Sequence, residues 1–158
     1  MPPDNVAPQQ PAKAVRLIFE YEGETVRLIS QQSVEMIIPD SDTAVSSEVA
    51  HFVDMRDAAN KTLARVMVRG AFATSAEVFP ERSGDPITRV DIAVPKGAFT
   101  TVVPVTDNAD HITLVKVVPG AEMVVGPDGL RRAQPVTTEM ASFPLSGRAR
   151  PAGNGGVR

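Results

Sequence analysis

Apolar side chains recur at every second position along most of this chain, the period of half-buried β-strands rather than of helices. From Lys13 to Tyr21 the odd positions Val15, Leu17, Phe19 and Tyr21 are apolar, with Arg16 and Glu20 between them. Glu22-Gly23-Glu24 supplies a turn, and Thr25 to Ile29 returns with Val26 and Leu28 on one face. The tetrapeptide VRLI occurs in both runs, but nothing around it is repeated, so the pair reads as the two arms of one hairpin. Val34, Met36 and Ile38 form a third alternating stretch, stopped by Pro39-Asp40-Ser41-Asp42.

The same period continues downstream. Val49 to Arg56 and Thr62 to Arg69 flank Asp57-Ala58-Ala59-Asn60-Lys61 as a second hairpin, and short pieces follow at Thr74 to Phe79 and Ile87 to Val94, the latter with Val90, Ile92 and Val94 as its inward row. Ala98 to Val105 and His111 to Val118 flank Thr106-Asp107-Asn108-Ala109-Asp110 as a third hairpin, and Met123 to Val125 adds an edge strand. No segment carries a helical stripe of three turns. Eight to ten short strands over roughly 110 residues predict an all-β fold, an antiparallel two-layer β-sandwich. In strand count and spacing, Lys13 to Val125 resembles the immunoglobulin and fibronectin type III class. It departs from antibody-type domains in having no cysteine pair and no core Trp. Such sandwiches host unrelated roles, so the resemblance implies a fold and no function.

The ends differ in composition from this middle. Met1 to Ala12 holds Pro2, Pro3, Pro8 and Pro11 and reads as a flexible arm, without the basic start and apolar stretch of a Sec leader. Gly126 to Arg158 has six Gly, four Pro and five Arg, and reads as a Gly/Pro/Arg-rich tail of charge +3 beside a remainder of −6. The domain boundaries expected from composition are therefore 1–12, 13–125 and 126–158. On that reading, removing the tail leaves the thermal midpoint of the core nearly intact. Within the tail, Val136, Met140, Phe143 and Leu145 carry enough apolar surface to dock on a strand edge, in this chain or a neighbour, and are the candidate partner-binding residues.

Composition excludes more chemistry than it suggests. With no cysteine there are no disulfides, thiolate sites or cysteine nucleophiles. No apolar run reaches the roughly 18 residues of a membrane span, so with no Sec leader the default compartment is the cytoplasm. A net charge of −3 and five arginines spread through the tail give no nucleic-acid footprint. There is no G-x-S-x-G elbow, and Gly153, Gly155 and Gly156 precede no helix that would make a phosphate cradle. The absence of Trp and a single inward Tyr argue against sugar stacking.

Two histidines remain. His51 shares a strand face with Val49, Val53 and Met55, which suits a half-buried packing residue. His111 follows Asp107, Asn108, Ala109 and Asp110 in a loop that offers oxygen and nitrogen ligands for an ion, although the same Asp and Asn are ordinary turn residues. Asp40, Asp42 and Glu48 lack the third oxygen ligand and the glycine of a calcium loop, where Ala44 and Val45 stand. The expected function is thus a non-catalytic interaction or structural module. It needs no cofactor, and its partner is a protein or a second copy of the chain, in a homo-oligomer or larger complex. A metal-dependent binder or enzyme using Asp107, Asp110 and His111 is the alternative.

Overall fold

A computed structural model describes residues 11–38, 48–120, 123–132 and 134–146. Residues 1–10, residues 39–47 with the Asp40 and Asp42 carboxylates, 121–122, 133, and 147–158 with the last three glycines lie outside the described residues. The first eleven residues of sheet, β1 (Ala12–Glu22), pair along their whole length with β2 (Thr25–Met36) through a tight turn at Gly23 and Glu24. β2 is one long strand rather than the two stretches that alternation suggests. A bulge at Ile29 joins them: Ile18 faces Ser30 and Phe19 faces Leu28. One extra residue reverses the alternation. Val26 and Leu28 face inward before the bulge and Gln31 and Ser33 after it, which leaves Met36 exposed.

β3 (Ala50–Arg56) and β4 (Thr62–Met67) form the expected second hairpin. β5 (Ser75–Val78) and β6 (Thr88–Asp91) then make a separate two-stranded ribbon. Val90 and Val94, expected to face a core, are 48% and 58% exposed because this ribbon pairs with neither large sheet.

β7 (Lys96–Pro104) pairs with β1, whereas β8 (His111–Val118) pairs with β3. The third hairpin expected from sequence is therefore a crossing between sheets. Val105 N–H still extends the β7 ladder to Lys13, and Asp110 N–H already opens the β8 ladder to Arg56, so the four residues Thr106 to Ala109 change layer. β9 (Met123–Gly126) and β10 (Gly129–Arg132) form a second ribbon around the positive φ of Gly129. β11 (Val136–Pro144) pairs with β8, with a bulge at Met140.

Among the described residues there is no helix, and the two main sheets run β2-β1-β7 and β11-β8-β3-β4, all antiparallel. Neither closes into a barrel. They face each other across a shared core: Val15, Leu17, Phe19, Phe99 and Val103 on one side, Val53, Met55, Ile112 and Leu114 on the other. Phe19, fully buried, stacks on Phe99 at 5.0 Å and meets Phe143 of β11 at 5.8 Å. Gly97 lies under the ring of Tyr21; a Cβ there would stand 2.9 Å from the hydroxyl. The layer also extends beyond Val125. The glycines and prolines of 126–135 mark the β9–β10 turn and the approach to β11, and β11 is a strand of the main sheet.

Gln31, turned inward by the β2 bulge, ties that strand down. Its amide donates to Pro144 O at 2.8 Å and accepts from Ser146 N–H at 2.7 Å, reproducing a backbone pair between the two sheets.

Candidate functional site

Among the described residues, a large group of interacting polar side chains lies on the outer face of the four-stranded sheet, where alternation ordinarily puts solvent. Register brings it together. Asp54 sits opposite Arg65 on β4 and Thr113 on β8, and Arg56 opposite His111. Arg65 holds the Asp54 carboxylate with both arms of its fork, Nε to Oδ1 at 2.7 Å and Nη2 to Oδ2 at 2.9 Å. Arg56 adds Nη2 to Oδ2 at 3.2 Å, and Thr62 a long hydroxyl contact of 3.5 Å. Arg56 Nη1 also donates to Glu139 of β11 and, at 3.2 Å, to Asn60.

Asp54 has no exposed surface, and the Arg56 side chain retains 9%. Long side chains produce that burial on an open sheet face. The Arg65 guanidinium lies 5.1 Å above the Phe52 ring, a cation–π contact, and Phe52 packs with Val115 and Val117 on the same face. Two guanidiniums thus meet two carboxylates in one network spanning β4, β3 and β11.

His111 begins β8 beside this network. Its Nδ1 meets Asp110 Oδ2 at 2.8 Å and its Nε2 meets Asn60 Oδ1 at 3.0 Å. Asn60 is in the left-handed region at φ 66°, tolerable for Asn, because the Asp57 carboxylate gathers Ala59 N–H and Lys61 N–H into a tight turn. Since Asn60 Oδ1 also accepts from Arg56, its amide orientation is set, and both imidazole nitrogens are engaged.

The loop carboxylates diverge. Asp110 turns to His111, whereas Asp107 lines a cleft of about 510 Å³ at the opposite side of the loop, with Lys13, Gln31, Glu35 and Leu145. Asn108 accepts from Thr106 at 2.8 Å, and the buried Ala109 closes a turn on Thr106 O. Among the described residues no three His, Asp or Glu side chains are grouped to hold a metal ion.

The chain matches no family model, no curated protein and no solved structure. What the site does chemically therefore follows from its geometry alone. The Asp54 network offers no free nucleophile and no unpaired base; it fastens three strands in register.

The candidate partner-binding residues, on β11 and directly after it, divide between the core and the surface. Met140, Phe143 and Leu145 pack against this chain's own core, and Val136 is 61% exposed.

His51 lies at the other end of the sandwich, stacked on Phe72 at 4.3 Å and opposite Lys116, whose ammonium pairs with Glu24 at 2.8 Å. Phe72 holds φ 60° to keep its ring there, against Tyr21 at 4.4 Å. Burial pushes the His51 pKa below its ordinary 6.5, and the Lys116 charge lowers it further against a smaller opposing effect of Glu24. The native state thus binds fewer protons here than the unfolded chain, so stability is complete above pH 6.5 and falls as pH drops towards the lowered native value. Glu24, held below the ordinary carboxylate range by Lys116, stays ionised in that window. Urea midpoints at pH 7.5 and 5.5 test this. The fall on acidification is expected to be smaller in His51→Phe, which keeps the stack on Phe72; an equal fall in both proteins refutes the assignment.

Proposed function

We propose that this chain is a non-catalytic β-sandwich module, immunoglobulin- or fibronectin-like in architecture, that works by associating with protein. The observation that carries the proposal is where its exposed apolar side chains lie. Val78, Phe79, Ile87, Val90 and Val94 are all exposed on or beside the β5–β6 ribbon, Phe79 by 69%. Val125 and Leu130 are 80% and 67% exposed on the β9–β10 ribbon. The histidines and the Asp54 carboxylate are, by contrast, engaged within the fold. A ribbon of two strands is marginal by itself, and clustered exposed apolar groups mark contact surfaces. The association expected of Met140, Phe143 and Leu145 moves, on this reading, from β11 to the ribbons.

A photo-crosslinking residue at Phe79 tests this, with one at the exposed Arg27 of β2 as the comparison. Added to extract of the source cell, the full chain is expected to form discrete protein adducts from position 79 and not from position 27. Equal adducts from both positions, or none from position 79, overturn the proposal.

A further inference from the structure

We propose that β6 is the contact strand for a second copy of this chain, pairing antiparallel with the β6 of that copy about a two-fold axis at Val90. The inference rests on the association reading above and names its partner. β6 hydrogen-bonds to β5 alone among the described residues, and all four of its residues are exposed. The outer strands β2, β4 and β11 of the large sheets each carry a bulge, at Ile29, Leu63 and Met140. Bulges blunt an edge against foreign strands. β7, the remaining outer strand, packs against β4 and ends in Pro104. β6 has neither a bulge nor a proline.

Its backbone polarity fits a two-fold pairing. Ile92 N–H donates to Thr74 O on the β5 side. Alternation then turns Val90 toward β5 as well and points the N–H and C=O of Arg89 and Asp91 to the free edge. An antiparallel partner centred on Val90 sets Arg89 of each copy opposite Asp91 of the other. Both are hydrogen-bonding positions, and Val90 meets Val90 at the closer, non-bonded position between them. Four backbone hydrogen bonds and two opposite-charge pairs result, and the two ribbons become one four-stranded sheet. β5 offers no such charge pairing, because the equivalent two-fold, centred on Ala76, sets Ser75 rather than a cation opposite Glu77.

The experiment uses the full chain and sedimentation over a concentration series. The wild type is expected to dimerise. Arg89→Asp and Asp91→Arg should each weaken the homodimer by on the order of tenfold, since two facing pairs become like-charged. An equimolar mixture of these two variants should restore association, because each then presents the complementary pair to the other. Thermal midpoints verify that both exposed substitutions leave the fold intact. A monomeric wild type, a dimer indifferent to both variants, or a mixture no tighter than its components overturns the assignment of β6. Protein adducts from Phe79 in the presence of any of those results leave the association reading standing with a different partner; loss of both removes it.

Discussion

Removing residues 134–158 is expected to abolish the cooperative unfolding transition of the chain rather than to trim a solubilising tail. β11 supplies one whole edge of the four-stranded sheet, and without it β8 is left with an open backbone over eight paired positions. Met140, Phe143 and Leu145 leave the core with it. Each is worth about 1.5–3 kcal/mol when fully buried, and half of that for three side chains is a large part of the roughly 5–15 kcal/mol that holds a domain together. Glu139 leaves Arg56, and Gln31 loses both amide contacts between the sheets. A thermal scan by circular dichroism, with Phe143→Asp as a full-length comparison, tests the point. The truncated chain should show no sharp transition, and the substituted chain one at clearly lower temperature. A truncated chain that melts within a few degrees of the full one restores the picture of a tail.

The period-two rows predicted the β-class and most strands, because each inward row on β1, β3, β7 and β8 is continuous in sequence. The missing strands show what alternation leaves out. β10 and β11 lie in a segment rich in Gly, Pro and Arg, and the inward residues of β11 are spread across the bulge at Met140. A bulge costs one residue of register, so a search for unbroken alternation passes over such a strand. The same irregularity made one strand, β2, look like two. Pairing was harder still: Ala98 to Val105 and His111 to Val118 flank a loop that suits a hairpin, yet they belong to different sheets. The choice between a hairpin and a crossing depends on where the partners Lys13 and Arg56 lie, residues distant in sequence.

The polar network was legible only in part. His111 and its Asp-rich loop group titratable residues in sequence, but Asp110 turns to His111 while Asp107 lines the cleft beside Lys13. Asp54 sits between Val53 and Met55, and an acidic residue within an apolar strand was the available signal. With a turn over Asp57 to Lys61, hairpin arithmetic places Asp54 opposite Arg65, allowing one bulged residue, Leu63. Glu139 was beyond reach, since its approach to Arg56 depends on the pairing of β11.

Asp54→Ala is expected to cost about 3–5 kcal/mol, because it leaves two guanidiniums, one of them nearly buried, without their shared counter-charge. Glu139→Ala should cost no more than about 1 kcal/mol, since its carboxylate is 56% exposed and water replaces much of what it gives. The contrast separates a carboxylate that organises the network from one that borders it. Urea denaturation of both variants supplies the numbers, and equal losses would falsify the central role of Asp54. A third protein divides charge from packing: Asp54→Leu combined with Arg56→Met and Arg65→Met removes every charge at the centre of the network while keeping its volume. Stability should largely return, because a buried ion group offers little net free energy over apolar side chains of similar size. Register should not return with it. Arg65 on the bulged strand can meet Asp54 only if Leu63 is the extra residue, whereas an apolar pair tolerates a slip by one. Backbone amide resonances of β4 in the triple variant should therefore double or broaden while those of β1 stay sharp, and a single sharp set for β4 would show that packing alone fixes the hairpin.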